Sequence, residues 1–191
     1  MTFIADRIAN RSYGKLFHQL EGGTMKRSAI FDKNKRYRYQ LKRIWDKDRP
    51  SICWILLNPG LMGDDEEDET VSKCIEYSQK WGYGSLILVN LFAYRSAYIK
   101  DLLESSEPVG EENDQYIIEA SRQSDRTLLA WGGSGNFMNR NQHVLKQLDM
   151  NKTYCLKVLI DGNPAHPLLL PQSQEPILFD QSGLVIRKRI A

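Results

Sequence analysis

S-I-C-W-I-L-L at residues 51–57, stopping at Asn58-Pro59-Gly60, decides how the rest of the chain reads. After Ser51 the run is wholly apolar, with no alternation of period two. A strand buried on both faces of a parallel sheet has that pattern. The proline and glycine behind it force a turn. The same construction recurs downstream. Ser85–Val89 ends at Asn90, Thr127–Trp131 stops at Gly132-Gly133, and Tyr154–Ile160 stops at Asp161-Gly162-Asn163-Pro164. Helix signals lie between these runs. Thr70–Trp81 places Val71, Cys74, Ile75 and Trp81 on one side, and residues 113–123 and Gln142–Leu148 also read as helices. Strand and helix alternating four times predicts a three-layer α/β fold, a mostly parallel four-stranded sheet with helices on both faces.

Upstream, R-Y-R-Y-Q-L-K-R-I-W at 36–45 alternates as an amphipathic strand, and Asp32-Lys33-Asn34-Lys35 reads as a hairpin turn. An N-terminal basic hairpin is therefore expected. Residues 1–24 end in Gly22-Gly23 and read as an arm, which leaves 25–191 as a single domain. No run approaches the roughly 20 apolar residues of a membrane helix. The N-terminus lacks the apolar stretch of a signal peptide. A cytoplasmic monomer away from membranes is the expectation. Cys53, Cys74 and Cys155 lie far apart, without a disulfide framework or the common zinc and iron–sulfur spacings. No metal and no cofactor is expected.

The net charge of +2 is unevenly spread. Residues 26–49 hold ten Lys/Arg against three Asp, interleaved with Tyr37, Tyr39 and Trp45. Arg187, Lys188 and Arg189 add to the tail, while 64–69 (D-D-E-E-D-E) are six consecutive acids. Such runs read as solvated faces, or, where aromatics are interleaved with cations, as a surface for phosphates. The second reading makes DNA the expected partner, contacted by Arg36, Arg38, Lys42 and Arg43.

Ligands of open α/β sheets bind at the carboxyl ends of the strands. Here those ends read N-P-G-L (58–61), N-L-F-A-Y-R (90–95), W-G-G-S-G-N (131–136) and G-N-P-A-H-P (162–167). In order and approximate spacing, L-L-N-P-G-L, L-I-L-V-N, L-L-A-W-G and H-P-L-L-L resemble the uracil-DNA glycosylase superfamily over residues 51–171. The resemblance implies a uracil-DNA glycosylase-like fold, with a water-positioning loop at Asn58 and a base-reading Asn90. His166-Pro167 corresponds to the last motif of that superfamily. The chain departs from it in four ways: Asn rather than Asp at 58, no Tyr in the first loop, no iron–sulfur cysteines, and Leu168 where Ser follows H-P. These departures point from uracil toward a bulkier or modified base. The whole pattern, with Asn113-Asp114 and R-Y-x-L-x-R-x-W at 38–45, resembles still more closely the domain of unknown function 1643 family. That family brings no established chemistry.

The function expected is a DNA glycosylase that leaves an abasic site, in defence against foreign DNA with modified bases. Asn58 would orient the water, and Asn90 would make paired bonds to the base edge. His166 would donate to a carbonyl oxygen of the departing base. Each has a plainer alternative as a turn cap, a strand-end cap or a structural histidine. Phe92 and Tyr94 are candidates to stack on the base, or are core. Gly133 and Ser134 offer N–H groups to a phosphate, or form a simple turn. Arg95 is a phosphate contact or an ion-pair partner. Leu168 and Leu169 form an inserted wedge or pack inward. Asp64, Asp65 and Asp68 assist the water or lie in a solvated loop, and His18 and His143 are surface residues. A nucleoside or nucleotide hydrolase, and a non-catalytic nucleic-acid or protein-binding module, remain alternatives.

Overall fold

The computed structural model describes residues 25–63 and 65–180. The expected arm at 1–24, His18, Asp64 and the basic tail lie outside them.

Asp32 turns the chain at the start. Its Oδ1 accepts the Tyr37 N–H at 2.7 Å and its Oδ2 accepts the Asn34 N–H at 3.1 Å. This turn joins β1 (Lys26–Phe31) to β2 (Arg38–Ile44). Next come β3 (Ser51–Leu56), α1 (Glu69–Lys80) and β4 (Ser85–Asn90), followed by α2 (Ile99–Glu104) and α3 (Asn113–Gln123). The chain continues through β5 (Arg126–Leu129), α4 (Arg140–Leu145), β6 (Thr153–Cys155) and β7 (Ile177–Leu178).

All these strands form one sheet in the order β1-β2-β4-β3-β5-β6-β7. The expected four-stranded, mostly parallel sheet of uracil-DNA glycosylase type does not form. Among the described residues the sheet has seven strands and is mixed. The pairs β3/β4, β3/β5 and β5/β6 are parallel, whereas β1/β2, β2/β4 and β6/β7 are antiparallel. The physical reason lies at the edges. The basic hairpin is no appendage, because β2 hydrogen-bonds to β4 along Leu41–Ile44 and extends the sheet. At the other edge two residues of β7 suffice to pair with β6. The expected strand Tyr154–Ile160 also shrinks to Thr153–Cys155. Its apolar letters mislead, since past Cys155 the chain leaves the sheet: Val158 bridges to Pro164 half-buried against the core, while Lys157 and Ile160 are exposed.

Alternate residues of β3 enter two separate cores, as period-two side-chain geometry requires. Ile52, Trp54 and Leu56 pack with Val71, Cys74, Ile75 and Tyr77 of α1. Cys53 and Ile55 pack with Ile117 and Ala120 of α3 and Val144 and Leu145 of α4. Helix α1 begins where Asp68 caps it, its Oδ1 accepting the Val71 N–H at 2.8 Å. Val71, Cys74, Ile75 and Ser78 then recur at the spacing of one buried face. Ser78 resolves the polar problem of a fully buried tryptophan. Its Oγ accepts from Trp54 Nε1 at 3.0 Å and donates to the Cys74 carbonyl at 2.7 Å.

The acidic run is tied to the basic hairpin rather than solvated throughout. Glu67 Oε1 lies 3.2 Å from Arg27 Nε and 3.2 Å from Arg43 Nε. Arg43 is wholly buried and also donates to the carbonyls of Lys42 and Glu66. Glu67→Ala withdraws one charged hydrogen-bond partner from the buried Arg43. The expected loss is about 2 kcal/mol, the scale of one hydrogen bond to a charged group. Urea unfolding of the two proteins measures it, and equal midpoints would refute it.

Candidate functional site

The parallel register pairs Leu56 of β3 with Asn90 of β4, so the two strands finish level. Asn58 stands just past the first end and Asn90 at the second. Trp131 follows β5, and His166 arrives from the loop beyond β6. Because β2 runs antiparallel to β4, its first residue, Arg38, comes to the same edge, where its N–H donates to the Ala93 carbonyl at 2.9 Å. Together with Asp68 at the cap of α1, these six side chains line a pocket of about 150 Å³. An engineered apolar cavity of about 150 Å³ takes up one benzene, so this space suits a single ring.

Asn90 is 1% exposed. Its strand end is held rigidly. Asn113 Nδ2 donates to the carbonyls of Asn90 and Leu91 at 3.0 Å each, and Arg140 Nε donates to Leu91 at 2.8 Å. Arg140 is braced in turn by Asp114, which also receives His143 Nε2 at 2.9 Å. Burial pushes the Asp114 carboxyl upward, but its bonds from Arg140 and His143 outweigh that and hold it below 3.8. The side-chain Oδ1 of Asn90 has no hydrogen-bond partner among the described residues. An orphaned buried acceptor costs roughly 1–3 kcal/mol, and an N–H brought by a ligand would satisfy it.

Asn58 is oriented by its own loop. Its Nδ2 donates to Ser96 Oγ at 3.0 Å and to the carbonyls of Pro59 and Ser96 at 3.2 and 3.3 Å. Flipping the amide would set oxygen against two carbonyls, so Oδ1 is the atom left for a ligand or water. His166 caps the tight turn Pro167–Leu169, its Nδ1 accepting the Leu168 N–H at 3.4 Å. The ring proton therefore sits on Nε2, which makes that atom a donor. Burial lowers the His166 pKa below 6.5, opposed by the nearby Asp68 carboxylate. The ring is thus neutral at pH 7.

Trp131 lines the pocket through an amide network. Its Nε1 donates to Asn163 Oδ1 at 2.9 Å, and Asn141 Nδ2 donates to the same oxygen at 3.0 Å. Gly135 approaches the indole so closely that a Cβ there would collide with it.

Residues 38–168 match the family described as "Protein of unknown function (DUF1643)". The chain belongs to this family. No curated protein and no solved structure matches the chain. The family match begins at Arg38 and takes in every side chain lining the pocket of this DUF1643 protein.

The other expected site residues scatter. Phe92 is fully buried in the core against Phe137, and Tyr94 stacks edge-on with Tyr37; neither lines the pocket. Arg95 gives its guanidinium to the carbonyls of Lys35, Leu61 and Met62, locking the hairpin turn to the loop after Asn58. Arg38 and Arg43 are buried, Lys42 is half-buried, and of that set only Arg36 is exposed. Gly133 and Ser134 lie exposed at the start of the turn after Trp131. Leu168 and Leu169 are exposed beside His166 rather than packed inward. Asp68, expected either to assist the water or to lie in a solvated loop, lines the pocket, whereas Arg38 and Trp131 went unrecognised as pocket residues. The W-G letters and the aspartate before a helical stretch were visible signals, whereas the place of Arg38 depends on strand pairing. Burial pushes Cys53 and Cys155 up to about 12, so neither is a thiolate at neutral pH. Among the described residues, no helix is long and apolar enough to cross a membrane.

The depressed His166 pKa sets a pH dependence. Below 6.5 the unfolded chain takes up this proton more readily than the folded one, so stability is complete above 6.5 and falls as pH drops through the lower folded value. His166→Gln should flatten the stability–pH curve just below 6.5 relative to wild type. Parallel curves from chemical unfolding would show that His166 is not held neutral.

Proposed function

We infer that the protein is a DNA glycosylase that hydrolyses the N-glycosidic bond of a flipped-out, damaged or modified base. The observation that carries this reading is the convergence of Asn58, Asn90 and His166 on one ring-sized pocket at the strand ends. The residue-level resemblance to the uracil-DNA glycosylase superfamily supports it.

Base release needs an extruded base, support for charge on the leaving ring, and a directed water. Asn90 Oδ1 accepts a ring N–H, and Nε2–H of neutral His166 donates to a ring carbonyl as charge grows there. Asn58 Oδ1 orients the water toward the sugar carbon. The water oxygen bonds to that carbon, the C–N electron pair departs with the base, and the released proton passes to the Asp68 carboxylate. Asp68 keeps Oδ1 on the Val71 N–H, which leaves Oδ2 for this task. The exposed Leu168 and Leu169 beside His166 suit a wedge into stacked bases. That feature favours a polymer over a free nucleoside. The departures at Asn58 and Leu168 support a bulkier or modified base over uracil, and defence against foreign DNA with modified bases is a role that fits such a substrate.

DNAs carrying varied base modifications, treated with alkali after incubation, reveal abasic sites directly. On the responsive substrate, His166→Ala should slow single-turnover release by roughly 10²–10³-fold, the cost of one lost oriented donor to a developing oxyanion. DNA affinity should hold nearly constant. A His166→Ala protein that melts as the wild type does and releases base equally fast would refute the reading, as would abasic sites on none of the DNAs.

A further inference from the structure

Among the described residues three arginines are buried: Arg38 at 3% exposure, Arg43 at 0% and Arg140 at 4%. Two of them are paired, Arg43 with Glu67 and Arg140 with Asp114. Among the described residues, Arg38 makes no salt bridge, and no hydrogen bond from its guanidinium is found. Asp68 lines the same pocket and attracts it electrostatically without forming a salt bridge. A buried charge without a partner is strongly disfavoured. Burial accordingly lowers the Arg38 pKa to about 10, with Asp68 opposing the shift. Even at that value the guanidinium is charged at neutral pH. This cation borders the ring-sized pocket that is also lined by Asn90 with its orphaned Oδ1.

We propose that the pocket is an anion site in which Arg38 is the cation, and that it binds a ring-sized anion offering an N–H to Asn90. Resting on the glycosylase reading, the inference deepens it. When the glycosidic bond breaks, its electron pair enters the base and spreads onto ring nitrogen and carbonyl oxygen, and Arg38 meets that charge until solvent protonates the ring. Arg38 would then be a catalytic residue beside His166, and bases that leave as more stable anions would leave faster. A free phosphate could meet the same cation, but it would leave most of the pocket and Asn90 unused.

Calorimetric titration of the full chain at neutral pH with three probes tests this. Barbiturate is a ring anion, uracil is a neutral ring of nearly the same size, and inorganic phosphate is an anion without a ring. The wild type should bind barbiturate roughly tenfold or more tightly than uracil, the scale of one charge-assisted hydrogen bond. Arg38→Gln should abolish that preference and Arg38→Lys should retain most of it. If Arg38→Gln does not fold, the wild-type comparison and Arg38→Lys still decide. Equal binding of barbiturate and uracil, phosphate binding as tightly as barbiturate and displacing it, or a preference that survives Arg38→Gln would each overturn the proposal. Excision on DNA separates the two readings. Arg38-dependent barbiturate binding with no base release ends the glycosylase reading and leaves the anion site intact. Base release with an Arg38-independent probe profile does the reverse.

Discussion

The parallel register between β3 and β4 is the constraint on which the site depends. With Leu56 opposite Asn90, the two central strands end at one level, and the turns that follow leave the sheet together. Slipping this register by one residue would turn every β3 side chain to the opposite face. Trp54 would then leave the α1 core and Ile55 the α3 side. Leu56 would no longer stand level with Asn90, and Asn58 would shift with it. Burial on both faces makes that slip prohibitive. Fully burying each large apolar side chain contributes roughly 1.5–3 kcal/mol, and β3 alone commits Ile52, Trp54, Ile55 and Leu56. The alignment of the pocket's two amides is a by-product of core packing.

Upon that frame the charged residues are sorted by pairing. The hairpin brings a dense set of cations to the sheet edge, and the acidic run before α1 folds back to meet it through Glu67. Arg140 lies beneath the end of β4, bonded to Leu91 and Asp114, and helps to hold Asn90 in place. Both arrangements serve architecture. Of the buried arginines among the described residues, only Arg38 faces a cavity without a salt-bridge partner, because it opens the strand that pairs antiparallel with β4.

How far the sequence could be read follows from the same physics. The continuous apolar runs and their Pro/Gly stops made β3, β4 and the positions of Asn58 and Asn90 legible, since a strand buried on both faces leaves little ambiguity. His166 was legible as a lone histidine bracketed by prolines after such a run. The sheet as a whole was not. Hydrophobic runs reveal central strands, but a polar, basic strand joins through backbone hydrogen bonds that leave no mark on the letters. Arg38 was therefore read as a surface phosphate contact, whereas strand pairing buries it at the start of β2 and leaves Arg36, which precedes the strand, exposed. Phe92 misled for the opposite reason: an aromatic two residues past a site asparagine can face the core as easily as the ligand, and here Phe137 claims it.

The neutrality of His166 fits the placement of Arg38. An imidazolium at His166 would put a second desolvated cation at one small pocket, and burial already disfavours it. Protonation would also place a proton on Nδ1, where the Leu168 N–H already points, and so would loosen the turn that carries the exposed leucines. A neutral ring avoids both costs and still offers Nε2–H. The pocket can then divide its work by charge. Arg38 supplies the full positive charge where a leaving group would need it, His166 adds a directional neutral donor, and Asp68 holds the negative charge at the cap of α1. Paired directly, Arg38 and Asp68 would cancel. Both line the pocket without forming a salt bridge, so each charge stays available to a bound ligand, Arg38 for a leaving anion and Asp68 for a released proton.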